Sequence, residues 1–208
     1  MALKIGSMCL GYVQTNCYFV YDEDKKEALV FDPPTDGEGI YTKLKENGIT
    51  VAAILLTHGH FDHIMGVNEL KAAADVKVYA SKYEENVLKS GKLNMSNQFG
   101  TAYIVTPDFL LDDNETVEIA GIKVKMISTP GHTEGSCCYL IEDAGYLIAG
   151  DTLFAGSCGR TDLPTGSGGT LDRSLKEKLM RLPDEIKVYP GHGESTTIGY
   201  ERKYNPFC

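Results

Sequence analysis

The sequence predicts an α/β protein in which two β-sheets pack together and helices cover their outer faces. Three observations lead there. Short β-rich runs recur along the whole chain, stretches of helical spacing separate them in both halves, and two tight-turn signals join strands as hairpins in the middle. With 208 residues, 42% hydrophobic and 24% charged, the chain has an ordinary globular composition. It shows no Pro- and Ser-rich linker, charge block or low-complexity tract, so residues 1–208 read as one domain.

The first strands are expected at residues 17–21 (CYFVY) and 28–31 (ALVF), the second ending at Asp32-Pro33-Pro34. Residues 39–47 read as a helix, with Ile40 and Leu44 four apart and Gly48 as its C-terminal cap. Residues 51–56 (VAAILL) form a continuous apolar run, as a strand buried on both faces requires. Helical spacing follows over 67–74, then a strand over 76–80, then a polar helix near 82–89. Residues 116–119 and 122–127 flank Ala120-Gly121, and 138–141 and 146–149 flank residues 143–145, two hairpin signals. A helix is expected over 171–182, with Leu171, Leu175, Leu179 and Leu182 on one face and Pro183 stopping it. Residues 186–189 make a last short strand.

Charge and cysteine usage narrow the function. Twenty Lys and Arg against 29 Asp and Glu give a net charge of −9, which repels a phosphate backbone and argues against nucleic acid as partner. No apolar run is long enough to span a membrane, and the start (MALKIGSMCLGYVQTNC) lacks the pattern of a signal peptide. The expectation is a soluble, cytoplasmic protein. Of the six cysteines, Cys137 and Cys138 are adjacent and Cys208 is terminal, with no C-x-x-C pair. They read as free thiols, neither disulfides nor metal ligands.

The chemistry lies in the five histidines. His58, His60 and His63 fall within Thr57-His58-Gly59-His60-Phe61-Asp62-His63, directly after the buried strand VAAILL. Alternation puts His58 and His60 on one side of an extended turn, and Asp62 and His63 come round as the next helix begins. Three imidazoles and a carboxylate so close together would be a costly burial of polar groups without a cation to satisfy them. His132 (TPGHT), Asp151 (AGDT) and His192 (PGHG) each follow another strand, with glycine beside them where the backbone turns sharply. Any one of these alone would be an ordinary loop residue. Together the four strand ends offer five imidazoles and two carboxylates, a set that fits two metals sharing one bridging oxygen ligand. Two divalent ions are expected, zinc first, with iron or manganese compatible with the same donors.

THGHFDH, TPGHT, AGDT and PGHG, in that order, resemble the metallo-β-lactamase-fold hydrolases, and among them the glyoxalase II-like (hydroxyacylglutathione hydrolase-like) group. The resemblance implies a four-layer αβ/βα sandwich with the site at one edge of its two mixed sheets. It implies that His58, His60 and His132 hold one metal, that Asp62, His63 and His192 hold the other, and that Asp151 bridges them. The commonest zinc β-lactamases differ, with Cys at the Asp151 position and no ligand at the His63 position. Flavodiiron proteins place Glu at the His60 position, and RNA-processing members carry large inserts. Persulfide dioxygenases are the nearest rival, sharing the ligands and a stretch like Cys158-Gly159-Arg160-Thr161-Asp162 but typically binding one iron. Their last histidine usually stands in Pro-Ala-His-Asp, against Pro190-Gly191-His192-Gly193 here.

The expected activity is therefore hydrolysis of thioesters such as S-2-hydroxyacylglutathione, with Asp62 and Asp151 orienting the nucleophile. The rivals are mononuclear iron persulfide dioxygenation, hydrolysis of another small ester or thioester, and a metal-sensing or scaffold role without turnover. The glutathione-gripping helical domain of the classical enzyme is expected to be missing after His192. Arg160, in a Gly- and Ser-rich loop nine residues after Asp151, becomes the candidate anchor for a substrate carboxylate, unless it pairs internally with Asp162. Arg202 and Lys203 in the tail are the reserve candidates.

Overall fold

A computed structural model describes residues 2–208. Strands β1 (Leu3–Leu10) and β2 (Thr15–Asp22) form an antiparallel hairpin, and β3 (Glu27–Phe31) continues it on the other side of β2. Helix α1 (Gly37–Glu46) then leads to β4 (Thr50–Leu56), parallel to β3. Asp36 accepts from the Gly39 amide at its start, and Gly48 (φ 70°) turns the chain after its end, as expected of a C-terminal glycine. One turn of helix, α2 (Phe61–Ile64), and α3 (Val67–Ala74) precede β5 (Lys77–Ser81), again parallel. A 3₁₀ turn and α4 (Glu85–Leu88) lead on to β6 (Phe109–Leu111) at the far edge. The first sheet runs β1-β2-β3-β4-β5-β6.

The second sheet starts as an antiparallel meander of β7 (Thr116–Ile119), β8 (Ile122–Ser128), β9 (Cys137–Ile141) and β10 (Tyr146–Gly150). Both hairpins form where the turn residues put them, with Ala120 and Gly121 at φ 53° and 82°. A two-stranded finger, β11 (Leu153–Phe154) with β12 (Ser157–Cys158), interrupts the sheet. Helix α5 (Gly168–Arg173) brings the chain back to β13 (Lys187–Pro190), parallel to β10, and β14 (Thr196–Thr197) and α6 (Ile198–Tyr204) close it. The order is β14-β13-β10-β9-β8-β7.

Strand alternation sorts the apolar residues into three layers, which makes this a four-layer αβ/βα sandwich. On β4, Ala53 and Leu55 face the second sheet, while Ile54 and Leu56 face α1 and α3. On β9, Cys137, Tyr139 and Ile141 face inward, while Cys138 and Leu140 face the layer of α5 and α6. Phe31 and Tyr139 meet across the gap with ring centroids 5.7 Å apart, a tilted pair worth about 0.5–1.5 kcal/mol beyond its buried area. All six cysteines are free, and the adjacent pair is buried as expected. Among the described residues, no helix is long and apolar enough to cross a membrane.

Several expectations need correction. The chain begins its first sheet at Leu3, ahead of the first strand expected, because β1 is a half-buried edge whose Gly6 and Ser7 weaken the strand signal. The helix expected over 171–182 starts earlier, at Gly168, and passes through a wide π-type turn (Ser174–Lys178) and a 3₁₀ turn (Leu179–Arg181). Leucines four apart overshoot a 3.6-residue turn, and the widened turn keeps Leu171, Leu175 and Leu179 on the buried side. The polar helix near 82–89 is a 3₁₀ turn followed by one turn of α-helix. Residues 198–204, expected as tail, are helix α6, whose Ile198 is buried in the outer core.

Candidate metal centre

Strands β8, β10 and β13 are mutually parallel, since β9 is antiparallel to β8 and β10 while β13 is parallel to β10. His132, Asp151 and His192 therefore leave the second sheet from the same end. The first sheet brings the C-terminal end of β4 to meet them. Tyr139 donates its hydroxyl to the Leu56 carbonyl at 2.9 Å, and the Cys137 amide donates to Thr57 O at 2.9 Å. On the other flank, the Tyr18 hydroxyl donates to Pro190 O at 3.0 Å. These cross-sheet bonds bring all seven expected ligands to one edge.

Two groups of donor atoms result. One ligand atom each from His58, His60 and His132 lie within 4.8 Å of one another, and so do those of Asp62, His63 and His192. His60 Nδ1 is 2.9 Å from His132 Nε2, a contact between two ring nitrogens that one proton or one cation must occupy. Asp151 stands between the groups. Its Oδ1 is 3.3 Å from His63 Nε2, and its Oδ2 is 3.6 Å from His132 Nε2 and 3.5 Å from His192 Nε2. Asp62 Oδ2 is 3.3 Å from His192 Nε2 and accepts the Thr15 hydroxyl at 3.1 Å.

The surrounding hydrogen bonds set the tautomers. His63 Nδ1 donates to Asp32 Oδ2 at 3.0 Å, and His132 Nδ1 donates to Arg160 O at 2.7 Å. Thr57 spends its hydroxyl proton on Asp32 at 2.6 Å and so accepts from His58 Nδ1 at 3.1 Å. His58 and His132 then turn an unprotonated Nε2 inward, and His63 points its Nε2 the same way, toward Asp151 Oδ1. Among the described residues, the buried side-chain polar atoms left without a hydrogen bond are His58 Nε2, His60 Nε2, His63 Nε2 and Asp151 Oδ1. All four belong to the expected ligand set. Orphaned buried donors and acceptors are costly, and divalent cations would satisfy these four together.

Electrostatics agree. Burial, aided by His63 and His132, holds His58 well below the usual imidazole range, and burial brings His60 down to about 3. Burial also lowers His132. Burial opposes protonation of His63 and His192 as well, yet the Asp151 and Asp62 carboxylates outweigh it, raising His63 well above its ordinary value and His192 to about 9. In turn, against their own burial, Asp151 is held well below and Asp62 below the usual carboxylate value, chiefly by His63. Neutral imidazoles at His58, His60 and His132 beside ionised carboxylates suit a cation, while His63 and His192 would give up their protons to bind one.

Two supporting residues lie outside the expected set. Asp32 also clusters with His58 and His63, but its oxygens are taken by the Thr57 amide and hydroxyl and by His63, so it holds these expected ligands in place. Its φ of 49° is a left-handed backbone for a non-glycine residue, at the foot of the site. Buried Glu84 accepts the Gly59 amide on Oε1 at 2.8 Å, and the Thr133 hydroxyl and Gly135 amide on Oε2 at 2.9 Å each. It clamps the His58–His60 loop to the His132 loop. Burial nevertheless pushes its carboxyl up to about 8. In sequence Asp32 reads as the end of a strand and Glu84 as part of a polar helix; a charged residue on the buried side of each was the available signal. Close approach explains Gly191, where a Cβ would overlap Asp151 Oδ1 and the His63 ring.

The expected substrate anchors are engaged elsewhere. Arg160 forks onto Asp162 with two hydrogen bonds of 2.7 Å, and its contribution to the centre is the backbone carbonyl under His132. The partner two residues away in the same exposed loop satisfies the guanidinium, the internal pairing weighed from sequence. Arg202 binds Asp184 and the carbonyls of Met180 and Leu182, and Lys203 lies over the Tyr204 ring at 4.8 Å.

A family model described as the metallo-beta-lactamase superfamily matches residues 10–192. The probable metallo-hydrolase YqgX of Bacillus subtilis is 40% identical over 207 residues, 99% of this chain and 97% of that protein. The hydroxyacylglutathione hydrolase GloC of Haemophilus influenzae is 34% identical over 197 residues, 93% and 92% of the two chains. Among solved structures, BLEG-1 B3 metallo-beta-lactamase has a TM-score of 0.92 at 39% identity, covering 98% of this chain and 99% of that one. The di-iron-bound form of TTHA1623 gives 0.86 at 33%, covering 98% and 100%. ETHE1 from Myxococcus xanthus gives 0.79 at 27%, covering 98% and 83%. The fold, the four motifs in order and these likenesses agree: the chain belongs to the metallo-β-lactamase superfamily.

Proposed function

We propose that this chain is a dinuclear metal-dependent hydrolase of acyl thioesters, S-2-hydroxyacylglutathione among them. The observation that carries the reading is the pair of three-ligand groups with Asp151 between them, with His58, Asp62, His63 and His132 each held by a hydrogen bond from outside the groups. His58, His60 and His132 would hold one ion, Asp62, His63 and His192 the other, and Asp151 both. Divalent metals in such a pair supply a nucleophile at neutral pH and polarise a carbonyl. Zinc, iron and manganese all suit these donors, and the similarity to di-iron TTHA1623 makes iron as good a candidate as zinc.

The chain's own residues favour a thioester. Asp62 and Asp151 are ionised, so each accepts a hydrogen bond from the attacking water and orients it. The thiolate of a thioester leaves without a strong acid, because thiol pKa values lie near ~8.5. An amide nitrogen must be protonated as it departs, and all five histidines already belong to the ligand set. Similarity to GloC supports the same chemistry.

Similarity to ETHE1 keeps iron-dependent persulfide dioxygenation as the second reading, and similarity to BLEG-1 adds a β-lactam to the trial. The test loads the purified chain with zinc, iron or manganese in turn. Each form is then assayed with S-lactoylglutathione and other acyl thioesters, with glutathione persulfide under oxygen monitoring, and with a chromogenic cephalosporin. Thioester turnover well above the other two is the expected result. Negligible turnover of every thioester in every metal form would overturn the proposal.

A further inference from the structure

A cleft of about 390 Å³ opens beside the centre, and Asp62 and Thr15 form its polar end. Its walls are apolar: Leu10 and Val13 from the β1–β2 hairpin, Pro34 after β3, Phe61 and Met65 around α2, and Phe99. Phe61 and Phe99 pack with ring centroids 4.7 Å apart, so the wall is an aromatic pair. The hairpin tip bends through Gly11 (φ 75°) and Gln14 (φ 57°), leaving Val13 exposed at 47% while Phe99 is exposed at 55%. Apolar groups held open to solvent beside a catalytic carboxylate are unfilled binding surface.

No Lys, Arg or His lines this cleft. The cations expected to grip glutathione are bound to Asp162, to Asp184 and backbone carbonyls, and to a tyrosine ring. An anionic carrier finds nothing here to pair with, and net charge −9 repels it further. The cleft therefore suits the opposite kind of group.

We infer that the Leu10–Val13–Phe61–Met65–Phe99 cleft is the subsite for an uncharged, apolar acyl chain, so that medium-chain acyl thioesters are preferred over hydroxyacyl glutathione conjugates. The inference rests on the thioester reading for its reaction, while the binding it asserts stands apart from turnover. With Asp62 at its end, the cleft directs the chain's carbonyl toward the metal ligands and its methylenes against Phe61 and Phe99.

The test uses the full metal-loaded chain with acetyl, butyryl and hexanoyl thioesters of uncharged N-acetylcysteamine, beside S-lactoylglutathione. Each fully buried methylene is worth about fourfold, so kcat/KM should rise by roughly tenfold or more from acetyl to hexanoyl, mostly through KM. The variants Phe99→Ala and Val13→Lys, both at exposed positions, should lower the hexanoyl-to-acetyl ratio several-fold, and Val13→Lys should improve use of S-lactoylglutathione. Calorimetry with the non-hydrolysable S-hexyl thioether of N-acetylcysteamine supplies a readout free of turnover. It should show a negative heat-capacity change that Val13→Lys diminishes. Failure of the whole thioester panel overturns the hydrolase reading and leaves the thioether binding to judge the cleft. A working panel without chain-length dependence, a preference for S-lactoylglutathione, or thioether binding indifferent to Val13→Lys overturns the cleft as acyl subsite.

Discussion

Asp32 and His63 form a buried pair at 3.0 Å that joins the end of one strand to a ligand loop 31 residues later. The carboxylate also takes the Thr57 amide and hydroxyl, at 2.8 and 2.6 Å, so one residue aligns the rings of both His58 and His63. Removing its charge frees the His63 ring to rotate and to carry its proton on the wrong nitrogen. Asp32→Asn should weaken metal binding about 10–100-fold, the usual cost of losing such a partner. Chelator competition checks this; unchanged affinity in a folded Asp32→Asn protein would contradict the assignment.

Metal loading should reach two ions per chain, and His60→Ala should lose one of them, leaving the Asp62, His63 and His192 group intact. Mass-spectrometric metal analysis reads both numbers. Because the ligands converge only in the folded chain, binding also stabilises it, by about 4 kcal/mol with free metal at 1,000 times Kd. For a chain of this size that raises Tm by roughly 10 °C over the chelated form.

Proton release follows from the opposed histidine shifts. In the metal-free chain at pH 7, His63 and His192 carry protons, since Asp151 and Asp62 raise one well above its ordinary value and the other to about 9. Ligation removes both, so uptake near pH 7 should release about two protons, and apparent affinity should rise with pH until about 9. Titration in buffers of different ionisation enthalpy measures the count. For the metal-free fold the signs are separate. His192 is raised, so its stabilisation is complete below pH ~6.5 and lost as pH climbs through about 9. His60 is lowered to about 3, so it destabilises the fold as pH falls from ~6.5 toward 3. Near neutrality the chelated protein should therefore be more stable than at either extreme, which thermal melts across pH would show.

Glu84 should matter out of proportion to its distance from the reaction. Its two oxygens serve three donors on two ligand loops, and glutamine keeps only one acceptor. Glu84→Gln should cost about 1–3 kcal/mol, the penalty of stranding a buried donor. Denaturant melts of the chelated protein measure it, and reduced affinity at the His58–His60–His132 group should accompany it. A melt unchanged from the parent would reject the clamp.

What the sequence determined by itself was what is local. His58, His60, Asp62 and His63 lie within one turn, and strand alternation followed by a helix start suffices to point them together. The buried runs VAAILL and CCYLI, the two hairpin turns and the glycine after α1 are legible for the same reason, since neighbouring residues decide them. His132, Asp151 and His192 were grouped with that cluster by their places at strand ends and by the ligand count, and motif resemblance divided them between two metals; their meeting point depends on β8, β10 and β13 running parallel. The tertiary structure alone decided the roles of Asp32 and Glu84, whose partners stand 25 or more residues away. It also committed Arg160 to Asp162 and built an apolar cleft beside Asp62 from segments far apart in sequence. Hydrogen bonds and apolar walls built from distant segments exist only after the chain has folded, whereas the periodicity that starts the folding is written in consecutive residues.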